Sequence, residues 1–255
     1  MLQMAKRTIK RLFFTEKREI PICWVRHSQT YWLTQQFAED IIKPKKSPYS
    51  QKIEQIASET NSLGRQPLWD GYLTNDPAND RGSTRMPNNV RTASVMGDFY
   101  TSLVTKRRPN LIVEFGTAFG VSGMYFLAGL EANQEGELLT FEPNKIWADI
   151  ARKNLNQISN RFNLTIGTFE ENIDQLLLNS KTIDVAFIDA IHTSEFVIPQ
   201  LNIVIERSSP QAIIIIDDIN FSEDMKNCWE EVSADSRFAA SAKLGNRVGI
   251  LELKS

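Results

Sequence analysis

Four short stretches of this 255-residue chain put acids where they could act together: VEFGTAFG at 113–120, FEP at 141–143, IDAIH at 188–192 and IDD at 216–218. In the first, Glu114 closes an apolar run and is followed by Gly116 and Gly120. Residues without a Cβ let the backbone turn sharply and let a ligand lie against bare main chain. A dinucleotide turn would read GxGxxG and seat a pyrophosphate at a helix N-terminus. Here Ala118 stands at the second glycine and Glu114 would set a negative charge beside that pyrophosphate, so a cationic ligand suits the turn better. Asp189, Asp217 and Asp218 would repel one another unless protonated or bridged by a cation. An oxygen set of that composition suits Mg²⁺ or another hard divalent ion. His192 adds a group that can take a proton near neutral pH.

The elements that must position these residues are legible as a pattern. Apolar runs at 111–115, 137–142, 163–169, 183–189 and 212–218 alternate with helix-like stretches near 120–132, 144–157, 171–178 and 194–207. A further helix, carrying Val90, Ala93, Met96, Phe99, Tyr100, Leu103 and Val104 on one face, precedes the first run and ends near Pro109. Strands this apolar, alternating with helices, predict a mainly parallel sheet covered on both faces. Right-handed crossovers then bring the carboxyl ends of the strands to one edge, where ligands of such folds bind. Glu114, Glu142, Asp189 and Asp217 all fall at those ends.

Composition narrows the function classes. A formal charge of -2 gives no global field for a nucleic acid. Cys23 and Cys228 form no CxxC or Cys/His cluster, so neither a disulfide framework nor a zinc site is indicated. No apolar run approaches the roughly 20 residues a bilayer demands. The basic N-terminal segment lacks the apolar core of a secretory signal, and a cytoplasmic protein without a membrane partner is expected.

The motif at 113–120 resembles that of the class I S-adenosylmethionine-dependent methyltransferases: an acidic residue, any residue, then Gly-x-x-x-Gly. The resemblance covers about residues 85–255. It implies a Rossmann-like, doubly wound, mainly parallel seven-stranded α/β sheet with an antiparallel C-terminal strand, which KLGNRVGILELKS at 243–255 resembles. It also implies that Glu114, Gly116, Thr117, Gly120, Ser122 and Asp189 contact the cofactor. Glu142 would hold the ribose hydroxyls, and Thr168, Phe169 and Glu170 would lie beside the adenine. Asp-x-x-His after the fourth strand and an acidic pair after the fifth are similar to the small-molecule O-methyltransferase branch, the catechol, caffeoyl-CoA, sugar-methylating and cephalosporin-hydroxylase-like members. That likeness implies Asp189, Asp217 and Asp218 as ligands of Mg²⁺ or another divalent cation, and His192 with Asp189 as the catalytic pair. The catechol enzymes have Asp-Asn where this chain has Asp217-Asp218. The implied reaction is in-line methyl transfer to a hydroxyl of a small molecule, with metal or His192 assisting loss of its proton.

Two other readings share these residues. An NAD-dependent oxidoreductase would use Glu142 for the same ribose contact, against the Gly-x-x-x-Gly turn, and a metal-independent or non-catalytic member of the fold would keep cofactor binding alone. Residues 1–84 form a mostly helical extension to the domain at 85–255; its aromatics, among them Trp24, Tyr31, Trp32, Trp69 and Tyr72, suit a lid, a homodimer surface or that region's own core.

Overall fold

In the computed structural model the described residues are 19–27, 31–35, 43–69, 83–177 and 182–255. The basic segment at 1–18 and Tyr72 lie outside them.

Before the predicted domain come β1 (Ile22–Arg26), α1 (Trp32–Gln35), α2 (Ser50–Asn61) and a two-stranded ribbon of β2 (Gln66–Pro67) and β3 (Thr84–Arg85). Then follow α3 (Ser94–Arg107), β4 (Leu111–Phe115), α4 (Val121–Asn133), β5 (Glu137–Glu142), α5 (Lys145–Asn156), β6 (Phe162–Ile166), α6 (Phe169–Leu176), β7 (Ile183–Ile188), α7 (Ser194–Glu206), β8 (Ser208–Ile216), α8 (Glu223–Ala234), β9 (Phe238–Leu244) and β10 (Val248–Leu253). The alternation expected from 111 to 218 is present throughout. Polar side chains set several helix starts: Asn144 accepts from the amides of Ile146 and Trp147, Thr168 forms a capping box with Glu171, and Ser222 accepts from the Met225 amide.

One sheet runs in the order β1-β9-β10-β8-β7-β4-β5-β6, parallel from β8 through β6 and antiparallel where β10 enters between β8 and β9. It has eight strands rather than the expected seven, because β1 joins β9 antiparallel with Ile22 opposite Leu244. That strand carries no strong local signal, and it makes the N-terminal extension part sheet, not only helix. Adjacent side chains of each central strand enter opposite cores. Ile112, Phe187, Ile213 and Ile215 pack with α3 and α4, whereas Val113, Ile188, Ile214 and Ile216 pack with α6, α7 and α8. Burial of both faces explains why these strands read as unbroken apolar runs.

Strand order reverses between β4 and β7, and the two strand ends meet closely there. The Asp189 amide donates to the Phe115 carbonyl at 3.1 Å. Gly116 has φ +82°, and a Cβ on it would stand 2.1 Å from the Asp189 carbonyl oxygen. Gly116→Ala is therefore expected to destabilise the fold by about 3 kcal/mol, from left-handed strain and overpacking together. For a chain of this size that lowers the melting temperature by about 10 °C. A melting temperature within about 2 °C of wild type would contradict this.

Candidate active site

A cavity of about 810 Å³ opens at the carboxyl edge of the sheet over the β4/β7 switch point. Backbone bonds beyond the strand ends hold its floor: the Gly116 amide donates to the Phe141 carbonyl at 3.1 Å and the Asp217 amide to the Ile188 carbonyl at 3.0 Å. Gly116, Glu142, Thr168, Phe169, Glu170, Asp189, His192 and Asp218, all singled out in the sequence, line it.

Glu114, Thr117 and Ser122, expected to contact the cofactor, are buried at the glycine turn. Glu114 accepts from Ser122 Oγ at 2.5 Å and from Thr140 Oγ1 at 2.6 Å, and Thr140 also meets the Thr117 hydroxyl at 2.5 Å. Thr140 is there because the β4/β5 register sets it beside Glu114. Burial raises the Glu114 carboxyl to about 7 against these hydroxyl donors. The acid of the motif thus secures the turn from below, and Gly120 (φ +85°) starts α4 behind it.

Glu142 does face the cavity. Its two oxygens accept from the amides of Ala118 at 2.8 Å and Asn144 at 2.9 Å, which aims the carboxylate across the turn. Burial raises it to about 7, with those two amides pulling the other way. On the next wall Phe169 stands edge-on to Phe115 at 4.0 Å, and Gln200 donates to Glu170 at 2.6 Å. Two buried polar atoms on cavity-lining residues have no hydrogen-bond partner among the described residues: Gln200 Oε1 and Trp147 Nε1.

Beyond β7, His192 Nε2 lies 3.4 Å from Asp218 Oδ2 and 3.7 Å from Asp189 Oδ1, with its ring 5.4 Å from that of Phe221. Burial raises Asp189 and Asp218, reinforced by the Asp217 charge, while Arg247 opposes the rise. Arg247 is the residue the sequence reading missed. It reaches over from the β9–β10 turn, gives Nε to Asp217 Oδ1 at 2.9 Å and a terminal nitrogen to Oδ2 at 2.8 Å, and sets Nε 2.8 Å from Asp218 Oδ1. A guanidinium thus lies against two of the three aspartates expected to hold a divalent ion, Asp189, Asp217 and Asp218. Among the described residues no three His, Cys, Asp or Glu side chains are grouped to hold an ion. Asn144, Trp147 and Gln200 also escaped the sequence reading, although Asn144 just before a helical stretch is a cap signal.

The family described as "Methyltransferase domain" matches residues 113–219, from β4 to just past β8. The chain's fold is similar to that of solved methyltransferases. The O-methyltransferase from Bacillus cereus in complex with SAH is 21% identical with a TM-score of 0.57, covering 89% of this chain and 99% of that one. The cofactor-bound Rv0187 from MTB is 16% identical with a TM-score of 0.62, covering 80% of this chain and 90% of that one. The O-methyltransferase TomG from Streptomyces achromogenes, in complex with SAM, is 15% identical with a TM-score of 0.56, covering 81% and 99%. No curated protein matches the chain. Among the described residues, no helix is long and apolar enough to cross a membrane.

Proposed function

We propose that this chain is an S-adenosylmethionine-dependent O-methyltransferase acting on a hydroxyl of a small molecule. The observation that carries the reading is that Glu142, after β5, and His192, after β7, line one cavity on either side of the glycine turn after β4. Glu142 would accept the two ribose hydroxyls. When bound, the cofactor supplies a methyl carbon on a cationic sulfur, open to attack by oxygen.

The chain's part is positioning and proton transfer. His192 takes the proton of the acceptor hydroxyl as that oxygen becomes nucleophilic, and the carboxylates of Asp218 and Asp189 favour the resulting imidazolium. Trp69 and Arg91, from before α3, wall the cavity and would exclude water and shape acceptor choice. Divalent-metal assistance, expected from the resemblance, is left out of this mechanism, because Arg247 already engages Asp217 and Asp218.

The reading is tested by incubating the protein with methyl-labelled S-adenosylmethionine and a panel of catechols, phenols and sugars. Label appearing as a methyl ether supports it. Label only on nitrogen, or reduction of a nicotinamide cofactor instead, would remove it.

A pH dependence follows from Glu142. Its ionised form is the better acceptor for two hydroxyls, and in the protein it ionises at about 7. Affinity for S-adenosylhomocysteine should therefore rise as pH increases through 7 and level off above it, falling about tenfold per unit at lower pH. Calorimetric titration across pH 5.5–8.5 reads this directly, and a flat profile would show that Glu142 does not meet the ligand as an anion.

A further inference from the structure

We infer that Arg247 is the resident cation of this site: its guanidinium takes the place among Asp189, Asp217 and Asp218 that a divalent ion would fill, and the acceptor end of the cavity works without metal. The clause about catalysis rests on the methyltransferase reading; the clause about ion binding does not.

Asp217 is 4% exposed, and both its oxygens are taken by the arginine fork. Its Oδ1 also receives the Asp218 amide at 2.9 Å. A planar guanidinium matched to a carboxylate by two parallel bonds is among the stronger charge-assisted pairs, and a lone lysine could not reproduce it. The arginine is delivered on a fixed arm, because the Ile219 amide donates to the Arg247 carbonyl at 2.9 Å and ties the hairpin turn to the loop after β8. Asp218, held at φ +52°, turns its other oxygen toward His192. A divalent ion entering this cluster would have to displace the fork from Asp217 or sit against its positive charge, and either is unfavourable. Arg247 lines the cavity, so the charge that a metal would present to an acceptor oxygen is presented by the guanidinium instead.

The test is a Mn²⁺ titration of the purified full-length protein, followed by electron paramagnetic resonance of the free ion. Wild type should show no saturable binding below millimolar Mn²⁺. Arg247→Met, which empties the fork but keeps the volume, should gain one site at least about tenfold tighter, lost again in Arg247→Met/Asp218→Asn. Saturable micromolar binding by wild type that Asp217→Asn removes would overturn the proposal, as would a folded Arg247→Met that gains nothing. Should Arg247→Met not fold, the wild-type titration decides alone. Once an acceptor is known, EDTA should leave the wild-type rate within about twofold, and loss of turnover restored by Mg²⁺ would equally overturn it.

Discussion

Replacing Glu142 with Ala is expected to weaken S-adenosylhomocysteine binding by about 10²-fold or more, while the fold survives. The magnitude comes from hydrogen bonds to a charged group, about 1.5–3 kcal/mol each, and two are lost, against about 1.4 kcal/mol per tenfold. The carboxylate reaches the cavity only because its oxygens are already oriented by the amides of Ala118 and Asn144. Removing it orphans those two amides, so some of the loss will come from a looser turn. Glu142→Gln separates the contributions. It keeps one acceptor oxygen for the backbone but removes the charge and one ribose acceptor, and its affinity should fall between the other two. Calorimetry gives the affinities and thermal melting confirms the fold. An unchanged affinity in Glu142→Ala would exclude the ribose contact and with it the placement of the cofactor.

Replacing His192 with Gln is expected to lower kcat by about 10²–10⁴-fold, the usual contribution of a positioned general base. Cofactor affinity should be unchanged, because His192 follows β7, across β4 from Glu142 at the end of β5. The split between kcat and cofactor Kd is the informative readout. A merely structural histidine, packed 5.4 Å from Phe221, would show its loss in melting temperature and in both parameters together. The residual rate of His192→Gln should also recover as pH rises toward the acceptor's own ionisation, because the oxygen then needs no base. Equal kcat values for variant and wild type at neutral pH would transfer the base role elsewhere.

How far the site was legible depends on where each residue's partner lies in the chain. Gly116, Glu142, Asp189 and His192 were readable because each follows an apolar run closely, and the end of a run is a local feature. Glu114 was readable as part of a motif but not in its role. Whether a strand-end acid faces the ligand or the turn beneath it depends on the side chains facing it, here Ser122 and Thr140, and Thr140 arrives through strand register. β1 was illegible for a similar reason: five residues with one face covered by a distant hairpin look like loop until β9 is beside them.

By itself, then, the sequence determined the alternation of buried strands and helices, the glycine turn, and the line of acids along one sheet edge, since period, apolarity and missing Cβ atoms are properties of neighbouring residues. The tertiary structure alone decided that Ser122 and Thr140 meet Glu114, that β1 joins the sheet beside β9, and that Arg247 lies against Asp217 and Asp218. Each of these is a pairing across elements, set by register and by where a hairpin folds back, and such pairings leave no periodic trace in the chain that makes them.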